Sequence, residues 1–145
     1  MIRLIKKEDR EEYLSMVSAF YASDAVLAPI PLENMEKTFD LLLAGTPYAT
    51  GYVFEVEGTV AGYALLARTW SQEAGGETVW IEELYCKPKY RSMGLGSAFF
   101  AFLETEFPKV KRLRLEIEEE NEGAVRLYER KGFSWFDYKQ MKKDF

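Results

Sequence analysis

The sequence of 145 residues contains no histidine and only one cysteine. Without histidine the chain cannot form a Ser-His-Asp triad, a Cys-His dyad or an imidazole general base. The common zinc sites are excluded as well, because one thiol cannot complete a set of cysteine and histidine ligands. A site built from carboxylate and carbonyl oxygens stays open in principle, but no motif indicates one, and we expect no metal. Acid–base chemistry must therefore come from carboxylates, tyrosine, lysine or the lone thiol.

The chain also has no long apolar run and no excess of positive charge. Its longest wholly apolar stretches, such as 98–103, are far shorter than the roughly 20 residues of a membrane span. We see no secretory signal pattern, and one cysteine suits a reducing compartment, so the expected location is the cytoplasm without membrane contact. A net charge of −5 argues against a nucleic-acid partner and allows a cationic one. Length and 48% hydrophobic content predict a single domain over 1–145.

Hydrophobic periodicity predicts the element order β-α-α-β-β-β-α-β-α-β, with room for one more final strand. The predicted strands cover 1–6, 51–57, 59–68, 78–86, 113–117 and one or two segments within 133–143, and the predicted helices cover 9–21, 33–43, 95–107 and 122–130. Such an order predicts an α/β or α+β sandwich, with helices on both faces of a mixed sheet.

The most specific motif is the loop Arg91-Ser92-Met93-Gly94-Leu95-Gly96, between a strand and an amphipathic helix. It is not a dinucleotide fingerprint, because Phe99 stands where a third small residue is needed, and it lacks the Gly-Lys-Ser/Thr of a Walker loop. Backbone N–H groups that converge at a helix N-terminus favour an anion, and Arg91 adds a cation to the same place. The alternative is a tight turn with a capping glycine.

In this setting, Arg91-x-x-Gly94-x-Gly96 resembles the acetyl-CoA loop of the GNAT superfamily of acyltransferases. The segment 81–91 resembles that superfamily's central strand, and Asn121-x-x-Ala124-x-x-Leu127-Tyr128-x-x-x-Gly132-Phe133 resembles its helix beside the coenzyme thiol. Thr69-Trp70-Ser71 ahead of 81–85 most resembles the diamine acetyltransferase branch. Ser92 departs from the pattern, since the family usually has glycine there.

The resemblance implies a mixed, mostly antiparallel sheet that is splayed at its central strand, and acetyl-CoA as the cofactor. The splay lets the backbone of this strand bond the pantetheine arm as a peptide would. The residues expected to contact the coenzyme are Leu84, Tyr85, Cys86, Arg91, Ser92, Met93, Gly94, Leu95, Gly96, Ser97, Asn121 and Ala124.

Acyl transfer to an amine requires a base for the amine and an acid for the leaving thiolate. The resemblance makes Tyr128 the acid, and a phenol of pKa about 10 is protonated at neutral pH; the alternative is a core aromatic. Glu82 is the expected base, acting through a water, while Glu83 on the opposite face of a regular strand would bind substrate or pair with an arginine. A strand bulge would undo this alternation and leave open which of the two glutamates is the base, and an ordinary surface ion pair is the alternative for either. Cys86 is expected to be an inert, packed thiol.

The acceptor site is expected to use Phe20, Tyr21 and Trp70 as aromatic walls, although all three suit a core equally well. The acidic run 116–122 would attract a cationic substrate or is simply a solvated loop. We therefore expect an N-acetyltransferase acting directly on a primary amine of a small molecule, such as a polyamine or an amino acid. The alternatives are a non-catalytic acyl-CoA-binding module of the same fold and an acetyltransferase of protein N-termini or lysines. A homodimer is compatible with the sequence.

Overall fold

Five strands form one sheet in the order β1-β2-β3-β4-β5 in the computed structural model, which describes residues 1–145. The strands are β1 Ile2–Leu4, β2 Ala49–Val56, β3 Thr59–Ser71, β4 Gly76–Cys86 and β5 Arg112–Leu115. The helices are α1 Arg10–Tyr21, α2 Leu32–Ala44, α3 Leu95–Glu106 and α4 Glu122–Arg130, with short 3-10 turns at Lys7–Asp9 and Pro88–Tyr90. The first four strands are antiparallel, and β5 is parallel to β4. The predicted fold class, a mixed and mostly antiparallel sheet, is confirmed.

The helices cover both faces of the sheet, and each face carries one apolar cluster. One cluster joins α1 and α2 to the sheet: Tyr13, Met16, Val17, Phe20, Met35, Phe39, Val53 and Tyr63. The other joins α3 to the opposite face: Tyr52, Phe54, Ala64, Leu66, Val79, Ile81, Phe99, Phe100 and Leu103. Helix α4 adds Leu127 and Tyr128 to the second cluster. Burial of these apolar surfaces is the main force that holds the helices to the sheet.

Glycines end or reverse the chain where the sequence pattern predicts it. Glu57 and Gly58 have φ values of 49° and 76°, and this left-handed pair is the turn of the β2–β3 hairpin. Gly45 and Gly132, with φ of 84° and 89°, follow the ends of α2 and α4. The predicted helix boundaries are confirmed to within one or two residues.

The C-terminal segment 133–143 was expected to form one or two strands, and this prediction is wrong. Its backbone from 134 onward makes no hydrogen bond to other backbone groups. Side chains attach it to the sheet instead: Tyr138 donates to Glu73, Gln140 donates to Glu116, and the Arg112 guanidinium lies 4.9 Å from the Phe136 ring centroid. A cavity of about 670 Å³ separates β5 from this segment, so the main chains do not meet. Alternation alone does not make a strand when no neighbour pairs with it.

The sheet opens between β4 and β5. Their parallel pairing covers only four positions, from Thr78 opposite Arg112 to Ile81 opposite Leu115. Beyond Ile81, β4 continues to Cys86 with a partner on the β3 side alone. The predicted splay at the central strand is thus present. None of the helices combines the length and the apolar character that crossing a bilayer requires.

Candidate active site

A bulge in β4 lies at the point where the sheet opens. Leu65 of β3 stands opposite Glu83 and Leu66 stands opposite Ile81, so Glu82 has no partner residue. Before the bulge, Ile81 packs into the α3 cluster, whereas Glu83, two residues later, faces the α1 cluster. In a regular strand these two side chains would share a face. The extra residue therefore turns the Glu82 side chain out of both cores and toward the opening.

Glu83 is enclosed by tyrosines on the α1 face. It is 8% exposed, and its Oε1 and Oε2 accept hydrogen bonds from Tyr21 Oη at 2.6 Å and Tyr63 Oη at 2.7 Å. Burial raises the pKa of this carboxyl, and the two phenol hydrogen bonds partly oppose that shift. The arginine partner considered from the sequence is absent, because Glu83 forms no salt bridge and its partners are the two phenols.

Glu82, in contrast, is exposed and forms no hydrogen bond to protein. Although much of its surface is exposed, the Glu82 carboxyl stands at the mouth of a cleft, where the loss of some hydration, and then the carboxylates of Glu116 and Glu83, raise its pKa. A carboxylate with a raised pKa is a better proton acceptor near neutral pH than an ordinary surface glutamate. The bulge considered from the sequence is present. It leaves the Glu82 side chain accessible from the cleft and the Glu83 side chain buried among tyrosines.

The cleft lies between the end of α1 and the start of α4, has a volume of about 80 Å³, and contains several of the predicted residues. Its lining is Phe20, Ala25, Ile81, Glu82, Leu84, Leu115, Glu116, Ile117, Asn121, Ala124 and Tyr128. Asn121 occupies the N-cap position of α4, as expected, but its side chain makes no capping bond. Its amide is therefore available to the cleft.

The ring of Tyr128 is packed, and its hydroxyl is not bonded. The ring centroid lies 5.8 Å from those of both Phe100 and Phe133, and the residue lines the cleft with an Oη that makes no hydrogen bond to the protein. Burial, with a smaller effect of the Cys86 thiol, raises the pKa of Tyr128 to about 12. Burial likewise raises the pKa of Cys86 to about 11, although the positive charge of the nearby Arg91 acts to lower it. A half-buried thiol with that pKa is not a nucleophile at neutral pH.

The glycine loop presents free donors at the start of α3. The cap residue Gly94 has φ 79° and no side chain, and the first helical bond runs from Ala98 N–H to its carbonyl. The N–H groups of Leu95, Gly96 and Ser97 consequently have no acceptor in the protein. With the positive end of the helix dipole, they form a place where an anion is stabilised.

The two glycines of the loop serve different purposes. A Cβ on Gly94 would meet no atom within 4 Å, so that side of the loop is open, whereas a Cβ on Gly96 would lie 2.8 Å from Leu127 Cδ2. Close approach at Gly96 is therefore made by helix α4, whereas the space beside Gly94 is open to an anion. Ser92 has φ 63°, a left-handed conformation in which a serine is strained and a glycine is not.

These features fit a long thioester coenzyme with a pyrophosphate. The donors at Leu95, Gly96 and Ser97 suit the pyrophosphate, and the unpaired edge of 82–86 suits an amide-containing arm. Arg91 donates from Nε to the Cys86 carbonyl at 3.1 Å, and its other guanidinium N–H groups are free to pair with an anion.

Two predicted residues lie away from the cleft or beside it. Trp70 stands opposite Glu77 and is 77% exposed. Glu77 is five residues, about 16 Å along β4, from Glu82, so Trp70 does not line this cleft, and its role as an aromatic wall of the acceptor site stays a prediction. Tyr21 does not line the cleft but reaches Glu83 behind it.

Five residues that line the cleft were not predicted individually as site residues: Ala25, Ile81, Leu115, Glu116 and Ile117. A signal for the last two was available, since they follow directly after a strand that is parallel to β4. Ala25 lies in an irregular connection, where no periodic pattern assigns a direction to a side chain.

Comparison with known proteins agrees with this geometry. The sequence model of the Acetyltransferase (GNAT) family matches residues 11–133. Over 84 residues the chain is 32% identical to a spermine/spermidine N(1)-acetyltransferase of Bacillus subtilis (strain 168). This match covers 54% of this chain and 55% of that protein. The chain thus spans about half the length of the curated relatives it matches.

Solved structures show the same fold over the whole chain. A possible acetyltransferase from Clostridium difficile 630 superposes with a TM-score of 0.82 at 20% identity, covering 100% of this chain and 97% of the other. The aminoglycoside N-acetyltransferase AAC(6')-Iy, in complex with CoA, gives 0.78 at 13% identity, covering 99% and 93%. Identities this low establish the fold alone, whereas the family model covers most of the chain. The chain belongs to the acetyltransferase (GNAT) family.

Proposed function

We propose that this protein is an acetyl-CoA-dependent N-acetyltransferase that moves an acetyl group directly to a primary amine of a small molecule. The observation that carries the proposal is that the bulge in β4 lies at the same place as the opening between β4 and β5. At the residue where β4 loses its β5 partner, Glu82 turns into a cleft that Tyr128 also lines. An acid and a base on one cleft, beside an open strand edge, are what amine acylation requires.

The coenzyme would be held by the backbone more than by side chains. The free N–H groups at 95–97, with Arg91, would bind its pyrophosphate, and the β4 edge at 84–86 would bond its amide arm. Ser92, Met93 and Gly94 shape the loop, while Asn121 and Ala124 lie where the arm would enter the cleft. Acetyl-CoA supplies an acetyl thioester, whose leaving group is a good one.

The side chains of the cleft would move the protons. The Glu82 carboxylate accepts a proton from the acceptor ammonium, directly or through a water, and so frees the nitrogen lone pair for attack. The Tyr128 hydroxyl, protonated because its pKa is about 12, holds the proton that the leaving sulfur needs. Neither step requires histidine, which the chain lacks.

The acceptor would be a cationic amine with a slender arm. Glu82 and Glu116 make the cleft negative, Phe20 gives it an aromatic wall, and its volume of about 80 Å³ admits little more than an aminoalkyl chain. The B. subtilis relative is named for spermine and spermidine. Polyamines are therefore the first acceptors to test.

Thiol release from acetyl-CoA, measured over a panel of spermidine, spermine, a short diamine, free amino acids and peptides with a free N-terminus or lysine, tests the proposal. We expect turnover with polyamines or the diamine. Turnover restricted to peptides would instead indicate a protein acetyltransferase. Calorimetric binding of coenzyme without turnover of any amine would indicate a non-catalytic module, and absence of binding would overturn the proposal altogether.

A further inference from the structure

The connection between α1 and α2, residues 22–31, forms one side of the acceptor cleft. Phe20, at the end of α1, and Ala25, in the connection, stand on this side, across the cleft from Asn121 and Tyr128 of the α4 side. The distance between the two sides therefore depends on where the end of α1 is held. Any acceptor amine that reaches Glu82 must pass between them.

Few interactions hold this side in place. The polar contacts within the connection are local, such as Ser23 Oγ to the Phe20 carbonyl and Ala25 N–H to Ser23 Oγ. Apolar contacts come from Ala25, Val26 and Ile30, which pack partly buried on the α1 cluster, whereas Phe20 is a buried member of that cluster. From Tyr21 to residue 31, one hydrogen bond reaches the sheet, the 2.6 Å bond from Tyr21 Oη to Glu83 Oε1.

The other end of that bond is rigid. Glu83 lies on β4 directly after the bulge and is fixed a second time by Tyr63, a fully buried residue of β3. Hydrogen bonds to a buried carboxylate are among the stronger ones in proteins. A well-anchored acceptor in the sheet thus holds a donor at the last residue of a helix.

We propose that the Tyr21–Glu83 hydrogen bond is a tether that fixes the width of the acceptor cleft and makes Tyr21 a positioning residue for acceptor selectivity. Phe20 is held by the α1 cluster, and the tether keeps the connection that follows Tyr21, with Ala25, close to α4, which favours slender primary amines over branched or ring-bearing ones. This inference rests on the proposed function for its consequence in catalysis, but the tether itself is a property of the fold.

The chain supplies a matched control, because Tyr21→Phe and Tyr63→Phe each remove one phenol hydroxyl from the same carboxylate. Only the first hydroxyl belongs to the side of the cleft formed by residues 22–31. Hydrogen–deuterium exchange of the hydrogen-bonded amides of Ala22, Ser23 and Ala25, referenced to those of α1, measures the tether without any substrate. We expect exchange about tenfold faster in Tyr21→Phe and unchanged in Tyr63→Phe.

A second pair of variants, at Glu83, separates the effect of the Tyr21–Glu83 hydrogen bond from that of the Glu83 negative charge. In Glu83→Gln the single amide oxygen can still accept from Tyr21, with the NH2 group donating to the Tyr63 hydroxyl, so exchange at Ala22, Ser23 and Ala25 stays near that of the parent protein. In Glu83→Ala no acceptor remains, and exchange rises as in Tyr21→Phe. In catalysis, Tyr21→Phe should raise KM for a linear diamine more than it changes kcat, and should lower the kcat/KM preference for the diamine over a branched amine about tenfold.

Equal effects of Tyr21→Phe and Tyr63→Phe on exchange and selectivity would overturn the proposal, because the carboxylate itself would then be responsible. Unchanged exchange in Tyr21→Phe would overturn it too. If the parent protein acetylates no amine, the proposed function fails, while the exchange comparison still decides whether Tyr21 holds this side of the cleft.

Discussion

The Tyr128→Phe substitution isolates the acid role, because the structure separates the ring of this residue from its hydroxyl. The ring packs on Phe100 and Phe133, and phenylalanine keeps those contacts, whereas Oη bonds no protein group. We therefore expect the free energy of unfolding to change by less than about 0.5 kcal/mol. Coenzyme affinity should also be nearly unchanged.

Turnover should fall at least about tenfold, near the lower end of the range for general acid catalysis, because a thiolate leaves readily even without a proton. With a pKa of about 12, the Tyr128 phenol is ionised in only about one molecule in 10⁵ at pH 7. The acid is thus present throughout the working range, and the ratio of parent to variant kcat should be constant from pH 6 to 9.

The measurement is steady-state thiol release across that pH range, with calorimetry of coenzyme binding as the control. Full activity in Tyr128→Phe would remove the residue from the mechanism. A deficit that grows or shrinks steadily between pH 6 and 9 would show that a group with an ordinary pKa is responsible. A lost coenzyme affinity would show that the hydroxyl binds rather than catalyses.

Three further predictions concern the bulge and the loop. Glu82→Gln should abolish the limb of the pH–rate profile in which activity rises with pH through the raised pKa of Glu82. Glu83→Gln should keep that limb but move it to lower pH, because removing the neighbouring negative charge lowers the pKa of Glu82. A limb that is retained in Glu82→Gln would contradict the assignment of Glu82 as the base. Ser92→Gly should raise the free energy of unfolding by up to about 1 kcal/mol, because φ 63° strains serine, and a measured loss in denaturant titration would count against it. Gly96→Ala should lower the melting temperature, because its Cβ would lie 2.8 Å from Leu127 Cδ2; an unchanged melting temperature would mean that α4 moves aside freely.

Local patterns were sufficient to predict most of the fold. The helices follow from apolar residues at three- and four-residue spacing and from glycines that end them, and the resulting elements pack as two layers on a sheet. The C-terminal segment shows the limit of such reasoning. Its alternation is that of a strand, but a strand exists only through its neighbour, and here side chains such as Tyr138 and Phe136 hold the segment at a distance from β5.

The candidate site, like the fold, has a part that the sequence predicts and a part that it does not. The loop donors, Tyr128 and Glu82 lie on elements whose sequence patterns identify them, and the structure brings them to one region. The short motif around Trp70 fixes a position in the sequence but not which end of the 13-residue strand β3 meets the cleft, and Trp70 does not line that cleft. The partners of Glu83 are contacts between residues 20 and 62 positions apart, which no local pattern reports.

The bulge is the one irregularity that the sequence does record. The side chains of β4 that pack on the α3 cluster are Val79, Ile81, Leu84 and Cys86. Their spacing of two, three and two departs from the regular period of two at the point where Glu82 is inserted. A bulge also bends and twists its strand, and pairing with β5 ends at Ile81, the residue just before it. One extra residue thus accounts for both the opened strand edge and the direction of the carboxylate. It follows that deleting Glu82 would give Val79, Ile81, Leu84 and Cys86 the regular spacing of two and leave Glu83 on the α1 face, while it removes the base from the cleft.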